Sequence, residues 1–239
     1  MPKTLGLLCG LTYHSTVTHY TLINKHTSVL TNGKHTASLL LHSFDSPPMM
    51  ALMTTGQWPR FTSILCTAAN NLKASGADAI VICANIMHKA VPEVESRTGL
   101  PVLHIADFTG QRAVNRGFRK VGLLATKAVM EEAFYKDRLK EKFGLDVLIP
   151  GTREREETDR VIFEELGNGA VTKEAKELFM GIIRDFVDRG VECVILACTD
   201  LVFVIKQEDV DVPLFETSEI HAEGVAEWAL TEGERTGRG

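Results

Sequence analysis

Gly76-Ala-Asp-Ala-Ile-Val-Ile-Cys-Ala84 and Gly190-Val-Glu-Cys-Val-Ile-Leu-Ala-Cys198 follow one plan: a glycine, a small residue, an acid, an apolar run, and a small residue or thiol at the end. Each run is short and bounded by a turn signal, which is the pattern of a buried parallel strand. The pair is offset by 114 positions. Two further pairs occur in the same order. Lys3-Thr-Leu-Gly-Leu-Leu-Cys9 matches Arg119-Lys-Val-Gly-Leu-Leu-Ala125 at 116, and Leu100-Pro-Val-Leu103 matches Val212-Pro-Leu-Phe215 at 112. Apolar strands resemble each other by chance, so the argument rests on the ordered set, which predicts two pseudo-symmetric α/β lobes with mostly parallel sheets.

The remaining elements fit that reading. In the first half, Leu5–Cys9, Ser38–Ser43, Ala79–Cys83 and Val102–Ile105 read as strands. In the second, Val121–Leu124, Val147–Ile149, Val194–Ala197 and Pro213–Phe215 do so. Phe61, Ile64, Leu65, Ala68, Ala69 and Leu72 recur at helical spacing after Pro59 and stop at Gly76. Leu178, Phe179, Ile182, Ile183, Phe186 and Val187 repeat the pattern before Gly190. The expected lobes are residues 1–100 joined by 213–239, and residues 101–212. In open α/β sheets ligands sit beyond the carboxyl ends of the strands. The ends at Ala84-Asn85 and Cys198-Thr199 are therefore the expected walls of an active-site cleft between the lobes.

Composition narrows the class of function. The 239 residues carry 26 Lys plus Arg against 31 Asp plus Glu, a net charge of −5 without a basic block, so a nucleic-acid partner is not supported. Residues 1–10 are too short for a signal-peptide core, and no apolar run approaches the ~20 residues of a membrane span. Five cysteines, an odd number, fit a reducing compartment better than a disulfide framework. A cytoplasmic enzyme is expected.

The chain resembles the cofactor-independent aspartate/glutamate racemases over essentially its whole length. The resemblance is carried by Gly6-Leu-Leu-Cys-Gly-Leu-Thr-Tyr-His-Ser-Thr16 with Tyr20, Ile23 and Asn24, by Asn85-Ile-Met-His-Lys89, and by Leu103-His-Ile-Ala-Asp107. Val121-Gly-Leu-Leu-Ala-Thr126, Phe134-Tyr-Lys-Asp-Arg-Leu139, Ile162-Phe-Glu-Glu-Leu166, Ala197-Cys-Thr-Asp200 and Ile220-His-Ala222 complete it. It implies the two-lobed racemase fold, a homodimer, a carboxylate or amino-acid substrate, and no metal or pyridoxal cofactor.

Racemisation removes the α-proton from one face of a carbanion-like centre and returns one to the other, so it needs an acid/base group on each side. Thiols suit the task because their ordinary pKa of about 8.5 is movable by the site. By resemblance, Cys198 is the catalytic acid/base of the second wall. Asn85, Thr126, Thr199 and Met53 are the expected substrate-binding residues. The matching position on the first wall is Ala84, which has no proton to move. Cys83 is adjacent, but strand alternation turns it toward the packing layer. A single-thiol site also suits a decarboxylase, lyase or isomerase of one stereochemical outcome, and a non-catalytic ligand-binding relative is the reading from a different class.

Other features weigh on substrate and cofactor. Ser46-Pro-Pro-Met-Met-Ala-Leu-Met53-Thr-Thr reads as a loop without charge, where relatives carry a charged stretch, and argues for a less charged or bulkier ligand. His14, His88, His104 and His221 lack the paired spacing of a zinc site, so no metal is expected. Gly6 to Gly10 matches neither the dinucleotide nor the Walker pattern. Arg153-Glu-Arg-Glu-Glu157 reads as a solvated helix start.

Overall fold

The computed structural model describes residues 2–231; residue 1 and residues 232–239, the ends of the first expected lobe, lie outside the described residues. The chain divides into two units, residues 1–104 with 221–239 and residues 105–220. The first contains β1 (Thr4–Cys9), α1 (Tyr13–Leu30), β2 (Ser38–Ser43), α2 (Ser46–Thr54), α3 (Trp58–Ala74), β3 (Ala79–Ile82), α4 (Val91–Thr98) and β4 (Val102–Leu103). The second contains α5 (Ile105–Asn115), β5 (Lys120–Leu124), α6 (Lys127–Glu131), α7 (Ala133–Phe143), β6 (Asp146–Leu148), α8 (Thr152–Arg160), α9 (Lys173–Asp188), β7 (Cys193–Leu196) and β8 (Leu214–Glu216). The last helix, α10 (Thr217–Leu230), starts in the second unit and continues into the first.

Each unit holds a four-stranded parallel sheet, in the orders β2-β1-β3-β4 and β6-β5-β7-β8. The internal repeat is thus a repeat of topology. The unit boundaries fall at 104/105 and 220/221, a few residues beyond the 100/101 and 212/213 of the sequence reading. The difference arises because β4 pairs with β3 and β8 with β7, so each closing strand completes the sheet of its own unit.

The repeated residues have repeated jobs. Gly76 and Gly190 have φ of +101° and +79°, the left-handed region that glycine enters without strain. They reverse the chain after α3 and α9, and the next residue's N–H returns to the helix at Leu72 O and Phe186 O. Asp78 accepts the Thr4 N–H at 2.7 Å, and its counterpart Glu192 accepts those of Arg119 and Lys120 at 2.6 and 2.8 Å. The acid of each motif therefore closes the open start of the first strand in its sheet. Gly6 and Gly122 sit mid-strand where a helix packs closest. A Cβ at Gly122 would lie 2.4 Å from the Phe186 ring, and one at Gly6 would lie 3.0 Å from the Ala77 Cβ.

One expected loop is a helix. Residues 46–54 form α2, with Asp45 at the N-cap position and the two prolines in the first turn, where a missing N–H costs nothing. Once helical, the stretch turns Met49, Leu52 and Met53 together into the core of the first unit with Phe61, Leu65 and Met87. Its lack of charge is explained by burial.

Candidate active site

In the second unit, β5 and β7 run in register from Val121 opposite Cys193 to Leu124 opposite Leu196, and the Ala197 N–H donates to Leu124 O at 2.9 Å. Continuing that register two residues sets Thr126 beside Cys198 at the carboxyl ends of adjacent strands. The Leu201 N–H donates to Cys198 O at 3.3 Å and opens a 3₁₀ turn over Leu201–Phe203.

Cys198 keeps part of its surface exposed. Its thiol is nonetheless enclosed enough that burial pushes its pKa up to about 12; the Asp200 charge adds to this, the Asp200 and Leu201 amides oppose it, and Asp159 adds a smaller push. The group therefore rests as a thiol at neutral pH.

Thr126 is buried, and its Oγ1 has no hydrogen-bond partner; buried Thr158 on α8 is in the same condition. Asp159, the next residue, accepts the Lys127 N–H at 2.7 Å through Oδ1, which ties α8 to the start of α6. Thr199 is half-buried and Asp200 is buried.

The equivalent place in the first unit is arranged differently. The Cys83 N–H donates to Leu8 O at 3.0 Å, so Gly10 stands beside Ala84 as Thr126 stands beside Cys198. Neither Gly10 nor Ala84 carries a functional group. A Cβ at Gly10, whose φ is +91°, would fall 2.3 Å from the Phe44 backbone N, so the close passage of residue 44 demands glycine. Cys83 is fully buried, with its Sγ 3.0 Å from that of Cys9. Burial and the neighbouring Cys9 hold its pKa well above the ordinary thiol value. Asn85 is buried at the head of the 3₁₀ turn over Asn85–Ala90. Met53 lies in the core cluster.

Of the histidines singled out in the sequence, His14 is exposed and stacks on Tyr13, with ring centroids 3.8 Å apart. The other three are buried and are joined by His19, which the sequence reading passed over. The His88 and His104 rings are 4.5 Å apart, His88 and His221 are 6.0 Å apart, and His19 and His221 are 5.6 Å apart. His88 Nδ1 lies 3.1 Å from Ala84 O, and His221 Nε2 lies 2.7 Å from Leu103 O. Burial lowers the His19 pKa to about 4 and, with His104, holds that of His88 well below 6.5. The His19 and His88 rings are therefore neutral at pH 7. Among the described residues, no three His, Cys, Asp or Glu side chains are placed to hold a metal ion. His19 escaped notice because it lies on an otherwise featureless helix, and its partners come from distant segments.

The profile of the family described as Asp/Glu/Hydantoin racemase matches residues 8–225. A Yersinia pestis protein described as a candidate Asp/Glu racemase is 38% identical, with 96% of this chain and 100% of that one covered and a TM-score of 0.90. An aspartate racemase homologue from Pyrococcus horikoshii OT3 is 33% identical over 96% and 99% of the two chains, with a TM-score of 0.80. The aspartate racemase of Picrophilus torridus is 18% identical over 95% and 94%, with a TM-score of 0.71, a likeness of fold. Among the described residues, no helix is long and apolar enough to cross a membrane.

Proposed function

The chain belongs to the Asp/Glu/hydantoin racemase family, a family of isomerases, and on that premise we propose that it moves a proton at the α-carbon of a carboxylate-bearing substrate without a cofactor, with Cys198 as the acid/base group. The observation that carries the reading is the pair of equivalent strand ends. Beyond β7 stands a thiol that rests protonated, beside a buried hydroxyl without a partner. Beyond β3 stands Ala84 beside Gly10.

Thr126, Thr199 and Asn85 are the groups assigned to the substrate. Met53 acts from within the core and shapes α2. The five free cysteines suit a reducing cytoplasm, and a homodimer is the assembly the reading carries with it.

The asymmetry favours a second reading of the outcome. One thiol reaches one face of a planar carbanion, so the chemistry that fits best ends in a single stereochemical product, as in decarboxylation, elimination or one-sided exchange. Proton NMR in deuterium oxide separates the cases, using L- and D-amino acids and substituted malonates. Exchange with inversion supports racemisation, net conversion supports the one-sided reactions, and binding without either assigns the chain to ligand binding.

A further inference from the structure

Asp159 is not used by the chemistry above, yet its setting is unusual. One carboxylate oxygen is spent on the Lys127 N–H. Among the described residues, the other oxygen has no hydrogen-bond or ion-pair partner, and Lys127, whose charge reaches it, forms its ion pair elsewhere. Lys127 is 3.4 Å from Glu156. Burial raises the Asp159 pKa above the ordinary carboxylate value. The Lys127 N–H and charge pull against that rise without cancelling it, which leaves the second oxygen of a half-buried carboxylate open to a cation.

Its position is fixed by two links. The 2.7 Å bond to Lys127 places the carboxylate at the residue after Thr126. Thr126 follows β5 by two residues and Cys198 follows β7 by two, and the paired strands end with Leu124 opposite Leu196. Thr126, more than nine-tenths buried, brings its unpartnered Oγ1 to the same strand end.

We propose that Asp159 is the anionic anchor for the α-ammonium group of an amino-acid substrate, holding it beside the Cys198 thiol. The inference rests on the proton-transfer reading of Cys198 and adds a substrate class to it. An ammonium group supplies what Asp159 lacks, and the same positive charge draws the nearby thiol toward the thiolate when substrate is bound.

The test uses Asp159→Asn, whose amide oxygen still accepts the Lys127 N–H while the charge is removed, beside Asp159→Glu, which restores the charge. The proteinogenic L-amino acids and their D-enantiomers are assayed for α-deuterium exchange and for calorimetric binding, each against its 2-hydroxy acid. The expected result is a KM or Kd for amino acids raised roughly ten- to a hundredfold in Asp159→Asn, with an unchanged melting temperature and partial rescue in Asp159→Glu. Binding of the 2-hydroxy acids should stay within about threefold of the wild type. An unaltered KM and Kd in Asp159→Asn overturns the proposal, as does wild-type binding of the 2-hydroxy acids equal to that of the amino acids. Failure of every amino acid to bind overturns it too. Amino-acid binding without exchange, lost in Asp159→Asn, upholds the anchor and refutes proton transfer at Cys198.

Discussion

Acid should unfold this protein early, and the reason lies in α1. His19 is fully buried, its Nδ1 is 2.9 Å from Ser15 O, and its pKa falls from 6.5 to about 4 because the imidazolium is desolvated. A histidine depressed in the folded state binds its proton first in the unfolded chain, so stability is full above pH 6.5 and is lost as the pH falls toward 4. At pH 5 the unfolded site is about 97% protonated and the folded site about 10%, a difference worth about 2 kcal/mol. Below pH 4 the loss levels off at about 3 kcal/mol. His88 loses stability in the same direction. Asp159 and Glu216 act oppositely, because burial raises their pKa values and they take up protons first in the folded state. The perturbation that isolates His19 is His19→Asn. On the same helix Asn24 Nδ2 donates to Tyr20 O four residues back, so an amide at position 19 can keep the bond to Ser15 O without titrating. Urea unfolding at pH 7.5, 6.0 and 5.0 should give a wild-type stability falling about 2 kcal/mol more steeply between the extremes than that of the variant. Equal slopes would refute the burial argument for His19, whatever the absolute stability of the variant.

Three further outcomes follow from the same geometry. Cys198→Ser should lower turnover at least about a hundredfold with a melting temperature close to wild type, and normal activity with weakened folding would make Cys198 a packing residue. The wild type should racemise aspartate and glutamate feebly or not at all, while Ala84→Cys should raise exchange with inversion by roughly 10²- to 10⁴-fold on any amino acid the site holds, read by chiral chromatography. Gly122→Ala should cost about 1–3 kcal/mol, because its Cβ meets the fully buried Phe186 ring at 2.4 Å. Gly6→Ala, with its nearest contact at 3.0 Å, should cost less, and calorimetric melting ranks the two.

The sequence by itself determined the two sheets. Strand, helix, glycine and acid recur at nearly constant spacing because each is a local demand: an apolar run for a buried strand, an amphipathic face for α3 and α9, and a positive φ at Gly76 and Gly190. Local demands are written where they act, so the order of elements and the places of Ala84 and Cys198 just past β3 and β7 could be read from one line of residues. Tertiary structure alone decided the rest. Whether Ser46–Thr54 coils into a helix depended on a core waiting for Met49, Leu52 and Met53, and the uncharged stretch looked the same either way. The histidine cluster draws on positions 19, 88, 104 and 221, and only the folded first unit gathers them. Asp159 lies two residues past the Arg153–Glu157 run and carries no signal of its own in the sequence. The Lys127 N–H that ties it to the residues following β5 is a contact spanning 32 residues that no periodicity records.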